Sequence, residues 1–122
     1  MKNKPTLILG ASNNPERYSY KAQKLLKLYH HPTFPMNPTL TNLQGDPVVN
    51  DLSSFQESID TVTVYVRPAV LETLVDDVIA LKPNRVIFNP GTESPALERK
   101  IADAGIEVNE ACTLVLLSTG QF

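Results

Sequence analysis

The chain has 122 residues, of which 42% are hydrophobic and 20% charged, so its length and composition predict one folded domain spanning residues 1–122. Its net charge of -2 argues against a general nucleic-acid-binding protein, and no apolar stretch approaches the roughly 20 residues that a membrane-spanning helix needs. One cysteine and two histidines are too few for an internal disulfide or a four-ligand zinc site, and no secretory signal is visible, so we expect a cytoplasmic protein without a bound metal.

The first third of the chain predicts a strand, a helix and a second strand. Thr6–Leu9 is a short apolar run that Gly10 ends, which is typical of a strand buried on both faces. Over residues 18–29 the apolar side chains recur at helical spacing, while three lysines lie off that stripe. Residues 32–36 predict the second strand, although Pro35 cannot donate to a sheet ladder.

The middle of the chain begins with a polar connection and then repeats this alternation. We expect a turn at residues 45–47 and a short helix over residues 52–58. Residues 61–66 are β-branched and apolar, which predicts a third strand. Pro68 then stands where helices often begin, and Arg85–Phe88 is the fourth predicted strand.

The last third of the chain predicts a helix, a strand and an apolar tail. Ser94 and Pro95 are typical of a helix cap and of the first helical residue, and Gly105 ends that helix. Residues 106–108 predict a short fifth strand. The tail, residues 111–122, is apolar enough to pack back on the domain.

Strands that alternate with helices predict parallel βαβ units, and right-handed crossovers make them a doubly wound α/β sheet of about five mainly parallel strands. Such sheets bind ligands outside the carboxyl ends of their strands. Four of the ten prolines lie just past those ends, namely Pro15, Pro38, Pro68 and Pro90. Prolines can simply stop strands and start helices, but four at one edge favour a rigid, preformed ligand edge.

The loop between the first strand and the first helix is the best candidate for a phosphate site. Gly10 permits a tight turn, Ser12 and Ser19 carry hydroxyl donors, and Arg17 adds a guanidinium. A helix N-terminus carries free N–H groups and the positive end of the helix dipole, both of which favour an anion. The alternative is a helix that Asn14 or Ser19 merely caps.

Other nucleotide sites fit this loop less well. A dinucleotide site needs G-x-G-x-x-G and an acidic residue at the end of the second strand, but only Gly10 is present and that strand ends at Met36 and Asn37. The G-x-x-x-x-G-K-[ST] loop of nucleoside triphosphatases is absent. No nucleophile, base and orienting residue stand out, so no catalytic residue is predicted. An NAD(P)-dependent enzyme and a protein-interaction module with an empty site remain alternatives.

Charged and reactive side chains add to the case for this edge. Two of the four arginines, Arg17 and Arg67, map to it, which favours an anionic ligand over surface ion pairs. Glu93 could meet a ligand hydroxyl or favour the start of the next helix. Cys112 is either an inert buried thiol or one that exchanges with a ligand thiol. The two histidines precede the second strand, at the opposite edge, where a structural role is expected.

The order and spacing of these residues resemble those of the small stand-alone coenzyme A-binding proteins, which are related to the CoA-binding domain of the succinyl-CoA synthetase α subunit. The resemblance runs from residue 6 to about residue 117 and implies a three-layer, Rossmann-like fold. It rests on Leu9, Gly10, Ala11, Ser12, Asn14, Pro15, Arg17, Ser19, Tyr20, Asn37, Pro38, Gly45, Val64, Tyr65, Val66, Arg67, Gly91, Ala111 and Cys112. Tyr18 departs from the family pattern, since many relatives have proline there.

The resemblance implies non-catalytic binding of CoA or an acyl-CoA, with the pyrophosphate on the N-terminus of the first helix. No ligase activity is implied, because neither histidine matches the phosphorylated histidine of the synthetase. We expect CoA as the partner, no nucleic acid or membrane, and a homodimer as one possible assembly. The residues implied to bind CoA are Gly10, Ala11, Ser12, Asn13, Pro15, Arg17, Ser19, Tyr20, Asn37, Pro38, Val66, Arg67, Pro90 and Gly91.

Overall fold

The computed structural model describes residues 2–122 and contains a five-stranded sheet and a two-stranded hairpin. In chain order the elements are β1 (Thr6–Leu9), α1 (Tyr18–Leu28), β2 (Thr33–Met36), β3 (Asn42–Leu43), β4 (Asp46–Pro47), β5 (Thr61–Val64), α2 (Pro68–Ala80), β6 (Arg85–Phe88), α3 (Pro95–Asp103), β7 (Glu107–Glu110) and α4 (Thr113–Ser118). The large sheet has the order β2-β1-β5-β6-β7, and all its strand pairs are parallel. The predicted doubly wound α/β fold is confirmed.

Helices cover both faces of the sheet, which is why its central strands are buried along their whole length. Successive side chains of a strand point to opposite faces. Leu7 and Leu9 therefore join the core beneath α2 and α3, while Ile8 joins the core beneath α1 and α4. Helix α1 packs beside α4, and α2 packs beside α3. The molecule thus has the three layers that the sequence predicts.

The polar connection after β2 differs from its prediction. Strands β3 and β4 pair antiparallel as a small hairpin, where only a turn at residues 45–47 was expected. Gln44 and Gly45 form the connection between them, with φ values of 51° and 87°. Positive φ at both central residues is typical of a type I′ turn, whose twist matches the flanking strands. Two-residue strands have no periodicity that could have predicted this hairpin.

The predicted helix over residues 52–58 is wrong. Only a single 3₁₀ turn, Leu52–Ser54, forms there. The Asp51 carboxylate caps this turn by accepting the N–H of Ser53 at 3.0 Å. Phe55 then returns to an extended conformation and packs its ring edge-on against Phe34, so the segment continues as a loop.

Two strand boundaries also shift. The third predicted strand, β5, ends at Val64 rather than at residue 66. Tyr65 still donates its N–H to the Leu9 carbonyl at 2.9 Å, and the chain then leads into α2, which begins at Pro68. The fifth predicted strand covers Glu107–Glu110 rather than residues 106–108. Pro35 does lie inside β2, and it is tolerated because β2 is an edge strand.

The tail packs back on the domain, as predicted. Leu117 of α4 is buried, and so is the Phe122 side chain. The Phe122 ring contacts the buried His31 ring and lies 4.4 Å from the Arg85 guanidinium carbon. The Phe122 carbonyl oxygen accepts a hydrogen bond from the Lys4 ammonium at 2.6 Å. Among residues 2–122, no helix combines the length and the apolar character that crossing a bilayer requires.

Candidate functional site

A cleft of about 520 Å³ opens at the carboxyl edge of the sheet, where β1 and β5 lie side by side. The chain runs from β1 to β2 on one side and later returns to β5 on the other, so the direction of winding reverses between these two strands. Doubly wound sheets bind ligands at that reversal. The cleft is lined by Gly10, Ala11, Ser12, Arg17, Tyr18, Ser19, Asn37, Tyr65, Arg67, Pro90, Gly91 and Thr92.

Most residues that the sequence assigned to the site line this cleft. Five do not, for structural reasons. Asn13, Pro15 and Pro38 are exposed and do not line the cleft. Tyr20 lies further along α1, where its carbonyl accepts the Gln44 side chain. Val66 supports the loop above β1 instead of facing the cleft.

Three cleft residues were not predicted. Tyr18 is the first residue of α1, and Tyr65 follows directly after β5. Thr92 follows Gly91 and donates its hydroxyl to the Asn89 carbonyl at 2.8 Å. Tyr65 belongs to the residues that carry the resemblance, but it was not assigned to the site, although it lies at the carboxyl end of the third strand. The position of Tyr18 at the start of the first predicted helix could have indicated that it lies beside the cleft.

Gly10 lets the loops after β1 and β5 pass each other closely. Its φ is 87°, a conformation that other residues seldom adopt. A Cβ atom built there would lie 2.9 Å from Val66 Cγ1 and 3.1 Å from the Tyr65 carbonyl carbon. Both the backbone conformation and the space at this position therefore require glycine.

The loop that begins at Gly10 is held by its own hydrogen bonds. Asn14 donates its N–H to Ser12 Oγ at 3.0 Å, and the Asn14 carboxamide oxygen accepts the N–H of Glu16 at 3.0 Å. Arg17 donates its N–H to the Asn14 carbonyl at 3.0 Å. Since Ser12 Oγ accepts a hydrogen bond within the loop, its own O–H remains able to donate to a ligand.

Neither Asn14 nor Ser19 caps helix α1, so the alternative of a merely capped helix is wrong. The N-cap residue is Arg17, no side chain bonds the first turn, and no acidic residue lies in it. Helix α2 begins in the same way, with Arg67 as its N-cap residue and no side-chain cap. By contrast, Ser94 caps α3, whose first turn also contains Glu98. The two helices that begin beside the cleft thus present free N–H groups to it.

Two arginines add full charges to these helix ends. Arg17 and Arg67 both line the cleft and are exposed. The described residues contain two ion pairs, Lys27 with Asp46 and Lys100 with Asp76, so neither arginine is neutralised by a described acidic side chain. No acidic residue is among the described residues that line the cleft. The site therefore favours an anion.

Asparagine side chains tie the other loops of this edge. The Asn37 amide donates to the Ala11 carbonyl at 2.9 Å, and its oxygen accepts the N–H of Thr39 at 3.0 Å. The Asn89 amide donates to Thr63 Oγ1 at 2.7 Å and to the Val64 carbonyl at 2.9 Å. Each of these asparagines precedes a proline, which cannot donate. The hydrogen bonds of the asparagines thus support the preformed edge that the prolines predict.

Of the remaining candidates, Glu93 lies in the loop after β6 and Cys112 follows β7, whereas His31 precedes β2 at the opposite edge of the sheet. Glu93 Oε1 accepts the N–H of Gly91 at 2.8 Å, so this carboxylate holds its own loop. His31 is buried and accepts the N–H of Lys4 at Nδ1, which agrees with a structural role. Cys112 is half-buried and lies at the start of α4. Over residues 2–122, no group of three or more His, Cys, Asp or Glu side chains could hold a metal ion.

A second cavity, of about 220 Å³, adjoins the cleft. Its walls are Tyr18, Tyr65, Asn89, Pro90 and Cys112, and they are mostly apolar. The Tyr65 hydroxyl is buried beside the Thr63 and Thr113 hydroxyls. Burial raises the pKa of Tyr65 above its ordinary value, so this phenol stays protonated.

The family model described as "CoA binding domain" matches residues 4–118. A crystal structure described only as that of an uncharacterized protein is 40% identical, covers 100% of both chains and has a TM-score of 0.95. The protein ID.343 from Thermus thermophilus is 28% identical, with a TM-score of 0.87 over 98% of this chain and 91% of that one.

A third similarity concerns the fold alone. The dinucleotide-forming acetyl-coenzyme A synthetase 1 of Ca. Korarchaeum cryptofilum is 19% identical, with a TM-score of 0.72. The match covers 87% of this chain but 26% of the synthetase. No curated protein matches the chain.

Proposed function

Because the chain belongs to the family of CoA binding domains, we propose that it is a cytoplasmic, non-catalytic module that binds coenzyme A or an acyl-CoA at the carboxyl edge of its sheet. One observation carries this proposal. The cleft joins two uncapped helix N-termini to two arginines without a described ion-pair partner, and no described acidic side chain lines it. CoA carries a pyrophosphate and a 3′-phosphate, and such a site suits this ligand.

In the proposed arrangement the pyrophosphate lies over Ser12 and the first turn of α1. Free N–H groups of that turn and the Ser12 hydroxyl donate to phosphate oxygens, and Arg17 pairs with their charge. The adenosine part extends towards Asn37. The loops at Arg67 and Pro90 close the other side of the cleft, which places the rest of the ligand near the second cavity.

The chemistry of the cleft supports binding rather than catalysis. Its described lining contains no histidine, carboxylate or cysteine that could activate a nucleophile or transfer a proton at neutral pH. The hydroxyls of Ser12, Ser19 and Thr92 therefore have no base beside them within that lining. We propose that this module holds its ligand without transforming it.

Isothermal titration calorimetry with CoA tests the proposal. We expect heat release and saturation at one CoA per chain. Native mass spectrometry of the same sample would then show the bound mass and whether the chain is a monomer or a homodimer. An absence of binding to both CoA and acetyl-CoA at roughly 100 µM, which corresponds to an affinity weaker than about -5 kcal/mol, would contradict the proposed function.

A further inference from the structure

Tyr18 is the one exposed large apolar side chain that lines the cleft among the described residues. It is 69% exposed. The other exposed large apolar residues, Leu28, Tyr29 and Val115, line neither the cleft nor the smaller cavity beside it. Tyr18, by contrast, is a wall of both spaces. A ligand that passes from the cleft into the cavity would therefore cover this ring.

The start of helix α1 does not need this tyrosine. Tyr18 is the first residue of α1, a position that favours proline, and α2 and α3 begin with Pro68 and Pro95. Arg17, with φ -77° and ψ 142°, resembles Arg67 before Pro68, with φ -69° and ψ 159°. The backbone before residue 18 would thus accept proline as well. The helix start therefore gives no reason for a large exposed aromatic side chain here.

The ring is nevertheless held in a defined position. The Lys21 ammonium, three residues further along α1, lies 5.6 Å from the Tyr18 ring centroid, within the distance of a cation–π contact. This contact restrains the side chain, so less conformational entropy is lost when a ligand packs against it. Since Tyr18 is still 69% exposed, most of the ring is free to contact apolar groups or the planes of amide groups.

The position of Tyr18 indicates which part of CoA would meet it. In the proposed arrangement the adenosine part extends towards Asn37, which lines the cleft but not the smaller cavity. Tyr18, Tyr65 and Pro90 line both spaces, and the smaller one is mostly apolar. The pantetheine arm of CoA is uncharged, carries amide and methyl groups, and leads away from the pyrophosphate. This arm suits the aromatic and apolar surface between the two spaces better than a phosphate does.

We propose that the Tyr18 ring packs against the pantetheine arm of CoA where the cleft opens into the smaller cavity, and that it makes the chain prefer CoA to nucleotides without this arm. The inference rests on the proposed binding of CoA in the cleft. Binding covers a ring that the free protein leaves in water, which is favourable because apolar surface is removed from water. Tyr18 thus determines specificity, whereas Arg17 and the first turn of α1 meet the phosphates.

Calorimetric titration of tyrosine variants tests this contact. Tyr18→Ala removes the ring but keeps the backbone N–H of the first turn, and Tyr29→Ala, the control, removes an exposed tyrosine that lines neither space. We expect Tyr18→Ala to bind CoA about five- to twentyfold more weakly than the wild type, with no loss of affinity for 3′-phospho-ADP, which lacks the arm. The conservative Tyr18→Phe variant should recover most of the affinity for CoA that Tyr18→Ala loses. The control should bind both ligands as the wild type does.

The other outcomes contradict either this inference or the proposed function. An unchanged affinity of Tyr18→Ala for CoA overturns the inference, and so does an equal loss for CoA and 3′-phospho-ADP, because the ring would then contact no part of the ligand or only its nucleotide. If the wild type binds 3′-phospho-ADP as tightly as CoA, the arm contributes nothing and only the further inference fails. If the wild type binds neither ligand, the proposed function itself fails.

Thermal unfolding without ligand separates binding from folding. We expect Tyr18→Pro to unfold at or above the melting temperature of the wild type, because proline suits the first helical position and restricts the unfolded chain. A melting temperature several degrees lower would show that the Tyr18 side chain supports the fold. That result would overturn the inference, since the exposed ring would then have a structural role.

Discussion

Gly10 and Arg17 contribute to the cleft in different ways. Gly10 allows two loops to approach each other, whereas Arg17 brings charge to the start of a helix that no side chain caps. Both were predictable, because a glycine after a strand and an arginine before a helix are local patterns. Tyr65 was not assigned to the site, although it follows β5 directly and lines the cleft.

Gly10→Ala should lower the free energy of unfolding by about 2–4 kcal/mol, since it combines a left-handed backbone conformation with a close contact to Val66. Gly105→Ala is the matched control, because Gly105 has a φ of 85° and no neighbour within 4 Å of a built Cβ. The control should lose about 1–2 kcal/mol from backbone strain alone. Urea unfolding measures both, and equal losses would mean that the contact with Val66 relaxes freely.

Arg17→Ala should weaken CoA binding by about 1–3 kcal/mol, because a charge-assisted hydrogen bond to phosphate would be lost. Arg99→Ala removes an exposed arginine of α3 that does not line the cleft, and it should leave the affinity unchanged. Calorimetric titration of both variants decides the matter. If Arg17→Ala binds CoA as the wild type does, Arg17 does not contact the ligand.

A partly buried polar network joins α1 to the hairpin and holds both in place. The Gln23 amide donates to the Leu43 carbonyl at 3.0 Å and to Asp46 Oδ2 at 3.0 Å. Lys27 pairs with Asp46 Oδ1 at 2.9 Å, and the Thr33 hydroxyl also donates to this carboxylate. The network joins three elements through one aspartate, so the hairpin helps to fix the position of α1.

Asp46 should make the free energy of unfolding decrease at low pH. Burial by itself raises the pKa of Asp46, but hydrogen bonds from Thr33, Lys27 and Gln23 outweigh it and hold the pKa below its ordinary value. A folded-state pKa below the unfolded one means that the stabilisation is complete above about pH 4, and it is lost as the pH falls through the folded pKa. The decrease in the free energy of unfolding at low pH should therefore reflect the protonation of Asp46.

Asp46→Asn should cost about 1–3 kcal/mol at pH 7, and this difference from the wild type should shrink as the pH falls below about 4. Urea unfolding at pH 7, 5, 4 and 3 measures the difference. Asp103→Asn, at an exposed position near the end of α3, is the control and should show neither effect. A loss for Asp46→Asn that stays constant across this range would assign its effect to packing rather than to charge.

At the scale of the whole molecule, the strand order brings distant segments to one edge. The loop after β1, Asn37 after β2, Arg67 after β5 and Pro90 after β6 all line one cleft because these four strands are parallel neighbours. The fold therefore assembles the cleft from four separate loops without needing any of them to be long.

CoA should raise the melting temperature of the chain by several degrees, because a ligand at about 100 times its Kd stabilises the native state by about 2.7 kcal/mol. NAD⁺ and NADP⁺ at the same concentration should have little effect, since the chain has one glycine of the dinucleotide fingerprint and no acid at the end of the second strand. A larger shift with NAD⁺ than with CoA in a thermal-shift assay would favour the alternative of an NAD(P)-dependent enzyme.

The sequence by itself determined the alternation of strands and helices, the doubly wound sheet and the position of the loop that follows β1, because these depend on residues within one turn or one strand of each other. The position of the prolines after the strands was also readable from the sequence. The hydrogen bonds that tie two of these loops, however, come from the asparagines that precede the prolines, Asn37 and Asn89. Only the tertiary structure decided the hairpin, the contact of Gly10 with Val66 and the cavity beside Tyr65. Each of these depends on whether a space is filled or a polar atom is satisfied by residues that are distant in the chain, which no local pattern encodes.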